Sequence, residues 1–312
     1  MPLSRSRAAA FAAVIGAVFA TGCGTDGTST GGGAGARTAV ATTTQVGDLA
    51  RAVAGERGDV RQILRPNSDP HEYEPRPSDV RAIAGAAVIL RSGGDLDDWL
   101  DGVVRNAGSN AETTTLIDAV STRRGDGGVD PHWWQDPRNS IAAVRRIRDA
   151  MIAADPGGRS QYTANAGAYV TRLRALDGAI AACMRSIPAR QRRLVTDHDA
   201  LGYYADRYAI EVIGTVIPAL STQAQASAGE VARLVRTIRA TGVRTIFPES
   251  SANARLARAV ARDAGATVGP ALYADTLGAA GSPGATYVGS LRFNTRALAA
   301  GFGGGAAPRC QL

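Results

Sequence analysis

The chain has 312 residues, 45% of them hydrophobic and 20% charged, with a formal net charge of +7. That length can bury the core of one large or two ordinary domains. The composition excludes a disordered chain, a collagen, a polytopic membrane protein and, with 3 cysteines, a disulfide-dense miniprotein.

Residues 1–22 carry Arg5 and Arg7, the apolar run Ala8 to Ala20, and then Thr21-Gly22, the layout of a secretory signal peptide. The apolar run is too short to span a bilayer, which takes about 20 residues. Thr21-Gly22-Cys23 resembles a bacterial lipobox, so Cys23 is the expected lipidation site on the extracytoplasmic face of the cell membrane. The alternative is an ordinary cleaved signal with Cys23 incidental. Cleavage removes two arginines and no acids, leaving 7 − 2 = +5. Residues 23–36 are Gly/Ser/Thr-rich and read as a tether, spanning about 20 Å as a random coil. All 35 basic residues are arginine, scattered with no run interleaved with aromatics, so no nucleic-acid partner is expected.

From Arg37 short β-rich runs alternate with helical periods. Strands are expected at 38–44, 60–64, 86–90 and 114–117, and helices at 46–54, 78–84, 96–106 and 137–154. A proline-free run from Ser160 to Ser186 keeps apolar residues at helical spacing and predicts a rod about 40 Å long. The alternation then resumes, with strands at 193–196, 211–216, 244–247 and 267–268 and helices at 200–208, 228–241, 252–264 and 287–300. This predicts an α/β fold of two lobes, each a mostly parallel sheet flanked by helices, joined by one long rigid connector helix. The expected division is an N-terminal lobe over 37–158, the connector over 159–187 and a C-terminal lobe over 188–312. Ligands in such sheets gather beyond the carboxyl ends of the strands, which here face the cleft between the lobes.

The only three histidines lie in loops at such ends: His71 in DPHEYEP, His132 in DPHWWQDP and His198 in TDHD. Asp275, in YADTLG, occupies a fourth post-strand position. A single histidine beside a carboxylate is more often a surface residue or a helix cap, but three imidazoles and one oxygen ligand suit tetrahedral zinc. Asp69, Asp130, Asp197 and Asp199 flank the histidines and could accept their second ring N–H.

These segments, together with YTANAGAYVTRLRALDGAI and TDHDALGYYADRYAI, resemble the signatures of the cluster A-I zinc/manganese-binding solute-binding lipoproteins of ABC transporters. The resemblance runs from about Arg37 to Phe302 in the same order. It implies two α/β lobes bridged by a rigid helix, metal held by His71, His132, His198 and Asp275, and no enzymatic activity. It further implies a monomer that delivers metal to a permease and its ATPase. A histidine at position 198, where manganese members tend to carry an acid, favours Zn²⁺ over Mn²⁺. The stretch 121–129 has no histidine, which resembles the subgroup without a His-rich loop, loaded by a separate metallochaperone.

Glu249, in FPESS, also follows a strand; it is a candidate alternative ligand or orienting group, or a helix N-terminal acid. Trp133 and Trp134 read as cleft-wall packing, and the run from Gly301 to Gly305 as a flexible tail. With Cys23 assigned to lipid, Cys183 and Cys310 form an even pair in an exported chain and are expected to be disulfide-bonded. Metal binding is expected to fail below about pH 6, where imidazoles protonate. Rival readings are a zinc hydrolase with Glu72 or Glu249 as base, although no HExxH is present, and a surface adhesin.

Overall fold

A computed structural model describes residues 38–125, 127–303 and 310–312. The signal peptide 1–22, Cys23, the tether 23–36 and positions 304–309 of the tail lie outside the described residues. Among the described residues no helix is long and apolar enough to cross a membrane.

The first lobe winds β1 (Ala39–Ala41), α1 (Thr44–Ala54), β2 (Val60–Gln62), α2 (Pro77–Ala84), β3 (Val88–Arg91), α3 (Trp99–Ala107) and β4 (Glu112–Thr115) into a parallel sheet of order β2-β1-β3-β4. Alternate strand residues face opposite layers. Val40 and Ile89 pack outward with Ile83 and Leu100, while Ala41 and Leu90 pack inward against Val46 and Val144. Next come a short antiparallel hairpin, β5 (Arg124–Gly125) with β6 (Gly128–Val129), and α4 (Pro137–Ala154). Asp136 caps α4 by accepting from Arg138 N, and Pro137 fills its first position, where a missing N–H costs nothing.

The connector is α5 (Arg159–Arg185), 27 residues without a break. Its buried positions Tyr162, Ala166, Val170, Leu173, Leu176 and Ile180 recur every three or four residues, so one stripe faces the core. That stripe belongs to a single apolar cluster holding α1 and α4 on one side and residues of the second lobe on the other.

The second lobe repeats the winding of the first. It runs β7 (Arg193–Thr196), α6 (Gly202–Tyr208), β8 (Glu211–Thr215), α7 (Ala228–Thr241), β9 (Thr245–Ile246), α8 (Arg255–Ala264), β10 (Thr267–Val268) and α9 (Tyr287–Phe302). Pairings β7 with β8 and β9 with β10, joined by a parallel bridge between Thr196 and Phe247, give the order β8-β7-β9-β10. The C-terminal helix α9 returns to the central cluster, and Tyr287 N at its start donates to Asp48 Oδ2 of α1. Cys183 of α5 is bonded to Cys310, 127 positions away.

Several expectations shift: the strand expected at 38–44 ends at Ala41, with Thr44 already in α1, and the one expected at 60–64 ends at Gln62. The fourth strand begins at Glu112, and Leu116 and Ile117 leave it to enter a 3-10 turn, so apolar character alone misplaced its end. The hairpin of β5 and β6 was not anticipated, because two-residue strands carry no periodicity; Asp126-Gly127 was its only turn signal.

Candidate metal centre

Four loops at the carboxyl ends of strands converge in the cleft, two from each lobe. His71 follows β2, His132 follows the hairpin of β5 and β6, His198 follows β7, and Asp275 lies in the segment after β10. His132 and His198 are 0% exposed and Asp275 1%, whereas the His71 side chain retains 7%.

His132 is fixed by its own loop. Asp130 Oδ1 accepts from both the backbone N (2.9 Å) and the ring Nδ1 (2.7 Å) of His132, while Asp130 Oδ2 accepts from the Arg123 guanidinium at 2.6 Å. Tyr203 of the second lobe donates to Asp130 O. Close approach of the neighbouring loop depends on Gly94, at φ +72°, where a Cβ would lie 3.0 Å from Pro131 Cα.

His198 is fixed from a distant strand end. Glu249 Oε1 lies 2.7 Å from His198 Nδ1, and Asp197 Oδ2 accepts from Glu249 N at 2.8 Å. Asp275 is fixed from the first lobe, since Trp134 Nε1 and Gln135 Nε2 both donate to the carbonyl of Ala274 beside it. Trp133 and Trp134 are fully buried and line this cleft, with Trp133 Nε1 donating to Ser92.

The expected set of orienting acids is therefore corrected. Asp130 and Glu249 sit against ring nitrogens; Asp69, Asp197 and Asp199 do not. Asp69 accepts from His71 N and Thr222 Oγ1, and Asp197 accepts from Glu249 N. Asp199, next in sequence to His198, is turned into a loop contact through its N–H to Ala219 O. Successive side chains leaving a strand point in opposite directions, so sequence neighbours of a ligand are poorly placed to reach its ring.

A carboxylate only accepts hydrogen bonds, so the Nδ1 atoms of His132 and His198 carry a proton and their Nε2 atoms point inward, where they bind a proton or a metal. The ligand atoms of His71, His132, His198 and Asp275 all lie within 4.8 Å of one another. His132 Nε2 is 3.4 Å from Nε2 of both His71 and His198, and the three Nε2 atoms lie 3.3–3.5 Å from oxygens of Asp275. Nitrogens and oxygens this close, with no covalent link between them, can share one small cation such as zinc, whose bonds to nitrogen and oxygen are about 2.0–2.2 Å. Both Asp275 oxygens are buried without a hydrogen bond to satisfy them. Lone pairs and a buried anion facing one point need a cation there.

The electrostatics agree. Burial works against charge on His132, but Asp275 and Asp130 outweigh it and push this imidazole up to about 10. His198 is likewise pushed up to about 9, by Glu249 and Asp275 against burial. Burial opposes ionisation of Asp275, yet the two imidazoles hold it well below the usual carboxylate range. In metal-free protein, protons hold these groups together; a dication replaces them. The limit near pH 6 expected for ordinary imidazoles thus moves upward. Burial and the charge of Glu249 push Asp197 up to about 6.

Residues 39–301 match the family described as "ZnuA: Zinc-uptake complex component A periplasmic". The chain belongs to that family. Its members are metal-binding substrate-binding proteins of ABC transporters, working with a permease and an ATPase, and are not enzymes, so the hydrolase reading falls. The chain is 31% identical over 293 residues to the manganese-binding lipoprotein MntA of Halalkalibacterium halodurans, covering 93% of this chain and 97% of that one. It is 30% identical over 268 residues to the iron-binding protein YfeA of Yersinia pestis, covering 85% and 86%. Among solved structures it is similar to the periplasmic zinc-binding protein TroA from Treponema pallidum, with a TM-score of 0.80 and 26% identity over 86% of this chain and 99% of that chain. The α/β fold with helix-flanked parallel sheets is the fold of these two-lobed binding proteins.

Proposed function

We propose that this protein captures Zn²⁺ outside the cytoplasmic membrane and delivers it to an ABC permease for import. His71, His132, His198 and Asp275 are the ligands; Asp130 and Glu249 are acceptors that fix the ring orientation of His132 and His198. Cys23 carries the lipid anchor after removal of residues 1–22, in keeping with a relative named as a lipoprotein. The protein acts as a monomer and takes its metal from a separate metallochaperone, in keeping with the lack of histidine in 121–129.

The observation that carries the reading is the donor set, three imidazole Nε2 atoms and one buried carboxylate within 4.8 Å of one another. Imidazole-rich four-coordination suits zinc better than manganese, which prefers more oxygen ligands. Four protein ligands also suit capture and delivery, since catalytic zinc keeps a position open. Competitive titration of the mature protein with Zn²⁺, Mn²⁺ and Fe²⁺ tests it. Zinc should bind tightest with one ion per chain. Tighter binding of manganese would overturn the choice of metal, and no tight binding of any of them would overturn the site.

A further inference from the structure

The four ligands are not held alike. His132, His198 and Asp275 are buried and anchored by hydrogen bonds to a ring nitrogen or an adjacent carbonyl. His71 sits at the rim, and among the described residues no hydrogen bond from its ring to a carboxylate outside the cluster anchors it. Within its loop Asp69 Oδ1 accepts from His71 N, and Asn67 N at the start of the loop is held by Thr276 Oγ1 and Leu277 O; nearer His71 the contacts come from another loop of the opposite lobe. Thr222 Oγ1 donates to Asp69 Oδ2 at 2.7 Å, and Gln223 Nε2 donates to the carbonyl of His71 itself.

Thr222 and Gln223 belong to residues 217–226, which join β8 to α7 without regular secondary structure and are partly or fully exposed. The same loop touches the first lobe once more, where Leu220 packs over Gly125 of the hairpin. At its base, Ala219 O accepts from the N–H of Asp199, next to His198. Few buried apolar contacts and partly exposed hydrogen bonds make such a segment cheaper to open than the packed strands beneath it. The α5 stripe, by contrast, is packed against both lobes along its length.

We propose that Thr222 and Gln223 are positioning residues for His71, and that the 217–226 loop is the gate through which the cation enters and leaves. Lifting this loop frees Asp69 and the His71 carbonyl and uncovers the cluster at the His71 rim, while His132 and Asp275, which it does not hold, stay in place. Release therefore needs a local opening rather than rotation of whole lobes. The proposal rests on the zinc-binding reading above, and its test separates the two.

Zinc-loaded mature protein is mixed with excess chelator in a stopped-flow instrument, comparing the parent with Thr222→Val/Gln223→Ala and with Gln225→Ala as a control in the same exposed loop. Losing two hydrogen bonds worth about 1 kcal/mol each should raise the dissociation rate roughly tenfold or more. Association should quicken too, so that the Kd moves less than either rate, which loss of a mere ligand contact would not produce. Dissociation within twofold of the parent overturns the proposal. Amide hydrogen exchange over 67–73 in metal-free protein provides an arm that needs no zinc. Faster exchange in the double variant supports the gate, and unchanged exchange overturns it.

Discussion

The inner and outer sides of the candidate site are built differently. On the inner side His132 and His198 are wholly buried, each with its Nδ1 held at 2.7 Å by a carboxylate, and buried Asp275 follows Ala274, whose carbonyl accepts from two donors of the first lobe. On the outer side His71 keeps 7% exposure and depends on a loop of the other lobe. A transport receptor must bind tightly and yet let go. Dividing those demands between a fixed inner face and a looser outer one meets both, because affinity comes from preorganised ligands while exchange needs only one of them to move.

The largest effect should come from attacking the inner side. His198→Ala removes a buried ligand and the ring that Glu249 orients, so zinc affinity should fall by on the order of a thousandfold in competitive titration. An unchanged Kd would remove His198 from the site. His71→Ala should cost less, about a hundredfold, because water can reach the outer corner. Equal losses from both substitutions would erase the inner–outer distinction. Glu249→Gln keeps the shape but removes the charge behind His198, and affinity should drop about tenfold.

The pH dependence is the next comparison. Because His132 and His198 in metal-free protein are pushed up to about 10 and about 9, zinc must displace protons at neutral pH. Affinity should therefore keep rising above pH 7, about tenfold per pH unit for each proton displaced, and level off only above those values. Titration in buffers of differing ionisation enthalpy would count the protons released; none at pH 7.5 would contradict the argument. For folding of the metal-free protein the sign reverses. A raised imidazole stabilises while protonated, so its contribution is complete below the ordinary value of 6.5 and is lost as pH climbs through 9–10. The Tm of metal-free protein should fall over that interval.

The smallest effect on the site is expected far from it. Replacing Cys183 and Cys310 by serine opens a loop of 127 residues and should cost about 4–5 kcal/mol of stability on the chain-entropy account. Zinc affinity should not change, since the bond joins α5 to the chain end rather than to a ligand loop. A matching loss of affinity would mean that the cleft geometry depends on this closure.

Much of this was legible in the sequence wherever a local signal existed. Asp136-Pro137 marks the start of α4 and Ser227 with Glu230 forms a capping box for α7, so both helices were read at their observed bounds. The positions of His71, His132 and His198 after strands were readable as well, because each lies in a polar segment between a strand and the next helix. Glu249 was readable as a candidate orienting group, but its pairing with His198 was not. Asp197 and Asp199 are its neighbours in sequence, but β9 lies beside β7, and that register brings Glu249 to the ring from 51 positions away. Asp130 was identifiable because an Asx turn two residues before His132 needs no tertiary information. The clasp of Thr222 and Gln223 on the His71 loop, 153 and 152 positions apart, left no mark in local pattern at all.

X-ray absorption at the zinc edge of the loaded mature protein reads the ligand set itself. Four ligands are expected, three imidazole nitrogens and one carboxylate oxygen, at about 2.0–2.2 Å. A sulfur ligand, or a five- or six-coordinate shell rich in oxygen, would contradict that set.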